Sequence, residues 1–93
     1  GRQLALESVH PNPFRDRARL LFTLPAAGDA SVLVHDLAGR RVRSLHEGPL
    51  PAGGHEVAWD GRGEDGSRMV PGIYFVRLAV AGEATGRRVV LLP

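Results

Sequence analysis

Glycine or proline falls at about one position in five of this chain, with twelve glycines and seven prolines in 93 residues. A glycine inside a helix costs about 0.5–1 kcal/mol relative to alanine, and a proline about 3 kcal/mol. Punctuation this dense leaves no room for an uninterrupted apolar pattern of period 3.6, so helices of ordinary length are excluded. Short segments of period two, each bounded by turn residues, take their place.

Seven segments have this character. The first spans residues 3–9 and ends at His10-Pro11-Asn12-Pro13-Phe14, where each proline pushes its predecessor out of the α region. Residues 18–24 place Leu20, Phe22 and Leu24 on one face, with Arg19 and Thr23 opposite. Residues 30–36 turn Ala30, Val32 and Val34 inward, and Ala38-Gly39 reverses the chain into residues 40–46, with Val42 as a core position. The stretch 48–54 carries Pro49 and Pro51, lacks two amide donors, and so is excluded from the middle of a sheet. Residues 55–60 bury Val57 and Trp59, and the polar run from Gly61 to Gly66 is a turn. Residues 72–81 set Tyr74, Val76, Leu78 and Val80 on one side and Ile73 and Phe75 on the other, which suits a central strand. Gly82 to Gly86 then turns the chain into residues 87–92. Short strands at this spacing predict an all-β fold of two packed antiparallel sheets, each with one face dry and one wet.

Length and composition bound the function. A chain of 93 residues and 10.0 kDa holds one core, so residues 1–93 are expected to form a single domain. No run approaches the ~20 apolar residues that cross a bilayer, so membrane insertion is not expected. Cysteine is absent, which removes disulfides, thiol catalysis and thiolate metal sites. The pI near 10.4 accompanies a net charge of only +2, because all twelve basic residues are arginine and none is lysine. So small a charge gives no strong field for a polyanion, and no nucleic-acid partner is expected. A chain that begins Gly1-Arg2 reads as a processed product or an excised piece of something longer.

Candidate chemistry is sparse. His10, His35, His46 and His55 stand in no metal-ligand spacing, and His35 and His55 fall on solvent faces. Asp60, Glu64 and Asp65 look like a calcium loop, but aligning Gly66 with the obligatory glycine puts Gly61 at position one and Gly63 at position three. A turn in which Asp side chains cap amides is the better reading. Ser8, Ser31, Ser44 and Ser67 form no nucleophile elbow, and a phosphate-binding loop needs a lysine. No catalytic, cofactor or metal residues are therefore assigned, and no enzyme is expected. Trp59 and Tyr74 sit at inward positions and read as core rather than as ligand platforms. The Arg40-Arg41-x-Arg43 and Arg87-Arg88 clusters form a patch if their strands are adjacent, and otherwise protect sheet edges.

Several of these segments together carry a family resemblance. They are Pro11-Asn12-Pro13-Phe14, Val-His-Asp-Leu-Ala-Gly-Arg at 34–40 with its Gly39, and Leu50-x-Ala-Gly-Gly-His55. To these are added Trp59-Asp60-Gly61-Arg62 with Gly66, Gly72-Ile-Tyr-Phe-Val-Arg-Leu78, and Arg-Arg-Val-Val-Leu-Leu at 87–92. Over nearly the whole chain they resemble the type A C-terminal sorting domain of type IX secretion cargo, and equally the Ig-like domain of the flagellar hook-capping protein. The resemblance implies a seven-stranded antiparallel Ig-like or fibronectin III-like β-sandwich on a bacterial secreted or cell-surface protein. The sorting domain implies translocon or sortase proteins as partners. Its recognised surface would comprise Gly72, Tyr74, Arg87 and Arg88 with an apolar tip at Val89, Val90, Leu91 and Leu92. The family's usual lysine in the last strand is Arg87 or Arg88 here, which keeps the charge. The hook-capping likeness, strongest at Trp59-Asp60-Gly61 and Gly66, implies a structural or self-assembling module, with strand exchange as one route.

Deleting residues 87–93 is expected to abolish export of a fused cargo. Trp59→Ala is expected to cost about 3–5 kcal/mol, read as a lowered midpoint in a thermal melt.

Overall fold

The computed structural model describes residues 4–93, and in it the period-two segments become seven strands. They are β1 (Ala5–His10), β2 (Ala18–Leu24), β3 (Gly28–His35), β4 (Arg41–Leu50), β5 (Gly53–Trp59), β6 (Gly72–Val80) and β7 (Glu83–Leu91). The expected start of the first strand at Gln3 lies outside the described residues. All pairings within the sheets are antiparallel, in the order β1-β2-β5 in one sheet and β4-β3-β6-β7 in the other. This is an Ig-like, fibronectin III-like sandwich measuring 40 × 22 × 20 Å.

Alternation decides which side chains close the sandwich. Leu20, Phe22 and Leu24 of β2 face Val32 and Val34 of β3 and Val76 and Leu78 of β6, all buried in one continuous core. Val89 and Leu91 of β7 complete it, and Trp59, Phe14 and Phe22 are the largest side chains wholly inside. Each such side chain contributes on the order of 1.5–3 kcal/mol on leaving water, so alternation alone commits the chain to this packing. As expected for a strand apolar on both sides near its start, β6 is interior to its sheet.

β3 and β5 begin two residues earlier than expected, at Gly28 and Gly53, and two boundaries differ further, each for a local reason. β4 continues through Pro49 to Leu50 because it is an edge strand, where a missing amide faces outward rather than into a ladder. The expected turn from Gly82 to Gly86 is instead strand from Glu83 onward. The reversal is made by two residues, Ala81 and Gly82, with φ of 51° and 81°, a two-residue hairpin turn. Gly86 is glycine for a different reason, since a Cβ there would lie 2.9 Å from the carbonyl oxygen of Val76 on β6. It marks a close backbone approach inside the sheet.

Ala81 holds a left-handed conformation without glycine's freedom, at a cost of about 1–2 kcal/mol. Ala81→Gly is therefore expected to raise stability by about 0.5–1 kcal/mol after the added flexibility of the unfolded chain is counted. A urea titration reads the shift in midpoint at unchanged slope, and a lowered midpoint would count against the strain.

Candidate functional site on the last strand and the segment that closes it

The residues singled out on the last strand part company in the structure. Val89 and Leu91 are buried in the core, Val90 and Leu92 are half-buried, and Arg87 and Arg88 are exposed. The expected exposed apolar tip at Val89 to Leu92 does not exist, because alternate members of that run close the dry interior. Nor do Arg87 and Arg88 form a pair on one surface, since consecutive strand residues point to opposite faces. Arg88 stands on the outer face opposite Phe75. Arg87 shares the inner register with Val89 and reaches across the rim, where its Nε donates to the Leu6 carbonyl on β1 at 2.8 Å. It thereby ties the two sheets together.

Tyr74 is likewise interior, 3% exposed, and its hydroxyl donates to the Val70 carbonyl at 2.5 Å. This is the tyrosine corner of Ig-type sandwiches, a side chain that pins the turn entering its own strand. Burial, aided by the charge of Asp36, holds its phenol above the usual pKa. Gly72, two residues earlier, is half-buried. Beside it Leu37 and Val70 are 69% and 73% exposed, and both line the same 280 Å³ hollow. Neither was singled out in the sequence, because an isolated apolar residue in a turn carries no periodic signal.

The Pro11-Asn12-Pro13-Phe14 segment closes the outer edge of β7. Asn12 Nδ2 donates to the Arg88 carbonyl at 3.0 Å, and the Val90 amide donates to Asn12 Oδ1 at 2.9 Å. Next along, the Phe14 amide donates to the Val90 carbonyl at 3.0 Å and the Leu92 amide to the Phe14 carbonyl at 2.8 Å, in a parallel bridge. The Asn12 carboxamide has one donor and one acceptor side, so it stands in for a peptide unit where the two prolines supply no N–H. The Phe14 ring seats this segment, with its centroid 5.5 Å from that of Trp59; the Trp59 ring in turn meets Tyr74 edge-on at 5.1 Å.

The remaining motif residues build turns. Asp36 Oδ1 accepts from the Ala38 and Arg40 amides at 3.0 and 2.9 Å, and Gly39 completes the reversal at φ 83°. These bonds, the Arg40 amide foremost, hold the Asp36 carboxyl below the usual range. Trp59 Nε1 donates to the Arg62 carbonyl at 2.9 Å, and Asp60 Oδ1 accepts the Arg62 amide at 3.1 Å. Gly61 lies buried between them at φ 77°, where a Cβ would meet Leu91 at 3.1 Å. Asp65 Oδ1 accepts from the Ser67 hydroxyl and amide, which lowers its pKa. The Gly66 carbonyl accepts from Arg62 Nη1 at 2.8 Å. The acidic side chains of the 60–66 turn thus each face a different donor, and among the described residues no three His, Asp or Glu side chains converge on a metal position.

The arginine clusters do not form a joint patch, for β4 and β7 are opposite edges of their sheet. Arg41 pairs with Glu47 at 3.2 Å and Arg43 with Asp60 at 3.4 Å, so the first cluster is neutralised along the β4 edge. His55 Nε2 lies 2.8 Å from the Pro51 carbonyl and His46 Nε2 3.1 Å from that of Gly48, local contacts within β4 and across the turn from β4 to β5. No helix long and apolar enough to cross a membrane is present among the described residues.

Asn12→Ala removes two edge bonds at once and is expected to lower stability by about 1–2 kcal/mol. Asn12→Asp keeps the acceptor and loses the donor, so its urea midpoint should fall between the other two; wild-type midpoints for both variants would show that Asn12 does not hold the edge.

Comparison with known proteins places this architecture. A family model described as the FlgD Ig-like domain matches residues 14–83. No curated protein matches the sequence. Among solved structures, PorU from Porphyromonas gingivalis is 24% identical with a TM-score of 0.72, over 91% of this chain and 9% of that one, and this likeness shows the fold alone. PorZ of the same organism, an essential bacterial surface component of its type-IX secretion system, is 28% identical with a TM-score of 0.62, over 92% of this chain and 11% of that one. FlgD from P. aeruginosa is 28% identical with a TM-score of 0.60, over 82% of this chain and 60% of that one. The chain therefore spans only a small fraction of PorU and PorZ and less than two thirds of that FlgD. The FlgD Ig-like domain is a structural module rather than a catalytic one. With the family model covering well over half of its length, this chain belongs to the FlgD Ig-like domain family.

Proposed function

We propose that residues 1–93 act as one non-enzymatic sorting and anchoring domain that directs a secreted cargo through the type IX secretion system to the bacterial surface. The observation that carries this reading is the likeness to PorZ, in which nearly the whole of this chain corresponds to a small part of a much larger surface component of that system. A signal read after folding needs a rigid frame with a few displayed groups. Here the frame is the sandwich closed by Phe14, Trp59 and Tyr74. Of the eight residues expected to be recognised, Gly72, Arg87, Arg88, Val90 and Leu92 retain access to solvent, whereas Tyr74, Val89 and Leu91 support them from within. Partners are then translocon or sortase proteins that contact β7 and the adjoining end of the sandwich.

Deleting residues 87–93 no longer tests this reading cleanly, because it takes Val89 and Leu91 out of the core. The better test fuses the chain to a secreted reporter in a bacterium with a type IX system. Arg88→Ala combined with Arg87→Ala is expected to lower surface reporter at least tenfold, while thermal melts show the domain still folded. Undiminished surface reporter would rule out this surface.

The likeness to FlgD favours a second reading, an Ig-like structural or self-assembling extracellular module. Strand exchange in such a module would have to displace Asn12 and Phe14 from the β7 edge. Export that fails for the intact fusion, while the purified chain assembles, would favour this alternative.

A further inference from the structure

Each outer face of the sandwich carries a row of exposed side chains around an apolar centre, one row acidic and the other basic. On the β1-β2-β5 sheet, Leu21 is 41% exposed at the centre of the middle strand. Glu56 stands directly opposite it on β5, and Glu7 lies at the β1 irregularity beside Ser8, which is Leu21's partner on that side. Glu7, Leu21 and Glu56 line one hollow of about 470 Å³. On the β4-β3-β6-β7 sheet, Phe75 is also 41% exposed, on interior strand β6. His35 stands opposite it on β3 and Arg88 on β7, and Arg77 follows two residues along β6. These four line a second hollow, of about 450 Å³.

Each row is apolar at its centre and crosses three adjacent strands; the first ends on two carboxylates, the second on the Arg88 guanidinium and the His35 ring. The ends of both rows therefore lie about 10 Å apart, set by the 4.7–4.9 Å strand spacing. None of Glu7, Glu56, Arg77 and Arg88 makes an ion pair among the described residues, although other charged side chains of this protein do. Both carboxylates and both guanidinium groups are thus unpaired among the described residues.

We propose that a second copy of this chain docks front to back, its Glu7–Leu21–Glu56 row on the His35–Phe75–Arg88 row of the first. Phe75 covers Leu21, Arg88 meets Glu7 and His35 lies over Glu56, because β1 and β7 share one rim of the sandwich. Arg19, two residues before Leu21 on the acidic face, fixes the strand direction and with it the lateral order. Arg77 must lie over Thr23 rather than Arg19, so β6 of one copy runs parallel to β2 of the next. Such a contact is heterologous: it uses different faces on the two copies, leaves one of each free, and propagates as a filament or closes as a ring. A face of three strands buries on the order of 500 Å² per copy, which places the contact at the weak, salt-sensitive end of specific interfaces. This association goes beyond the sorting role and leaves the β7 edge, with Asn12 and Phe14, undisturbed.

Sedimentation velocity of the purified chain across a concentration series tests it. In low salt the weight-average sedimentation coefficient is expected to rise with concentration, and about 0.5 M sodium chloride should abolish the rise. Arg88→Glu and Glu7→Arg, both at exposed positions, should each sediment as monomers with unchanged thermal melts. Mixing the two variants one to one should restore association, because the intact acidic face of the first meets the intact basic face of the second. A symmetric interface would give no such rescue. A wild-type chain that stays monomeric at millimolar concentration in low salt would overturn the proposal. So would association that Arg88→Glu abolishes and Glu7→Arg leaves intact, which would assign the Phe75 face to some other acidic surface.

Discussion

The stacking of Phe14, Trp59 and Tyr74 joins three parts of the chain that no backbone ladder connects directly. Trp59 comes from the last strand of one sheet, Tyr74 from an interior strand of the other, and Phe14 from the connection between β1 and β2. Centroid separations of 5.5 and 5.1 Å with tilted planes are favourable aromatic geometry, worth about 0.5–1.5 kcal/mol per pair beyond the area buried. More depends on the cluster than that energy. It holds Phe14 where its amide and carbonyl meet Val90 and Leu92. It also places Trp59 Nε1 on the Arg62 carbonyl, which organises the 60–66 turn, and carries Tyr74 to the carbonyl of Val70. The motifs at residues 11–14, 59–62 and 72–74 are thus parts of one junction.

That junction explains how an edge strand at the end of the chain avoids pairing with the wrong partner. An exposed strand edge offers unpaired amides and carbonyls to any extended chain. The β7 edge is met by a short parallel bridge and by a side-chain amide acting as backbone, while Arg68 Nη2 donates to the Leu92 carbonyl beyond it. The other edge of the same sheet, β4, is managed differently, with Arg41 and Arg43 in ion pairs and Pro49 within the strand. One sheet therefore uses two independent devices against edge pairing, while its inner face closes the core and its outer face meets solvent.

Most of the architecture was legible in the sequence because alternation is a strong signal. Leu20, Phe22 and Leu24, or Tyr74, Val76 and Leu78, can be assigned to the interior from spacing alone, and all six lie there. The features that escaped depend on contacts between distant residues. Gly86 looks like turn punctuation, and only the nearby Val76 carbonyl reveals it as a strand residue. Pro49 weakens the case for a strand until β4 is known to be an edge. The sequence identifies Asn12 as part of a motif, but not that its carboxamide would replace a peptide unit 76 residues away. For the candidate site, the run Arg87 to Leu92 was rightly placed on the last strand, yet the same alternation divides it. Two of its six members, Val89 and Leu91, belong to the core, and the two arginines face different directions.

The account turns on residues 11–14 being a fixed partner of β7, and native-state hydrogen exchange measures that directly. The amides of Val90 and Leu92 lie on the outer edge of an end strand, where solvent would ordinarily exchange them through local fraying. If Asn12 and Phe14 hold them, both should exchange only through global unfolding, at the rates of the interior amides of β6. Exchange of Val90 and Leu92 orders of magnitude faster than those amides would contradict it.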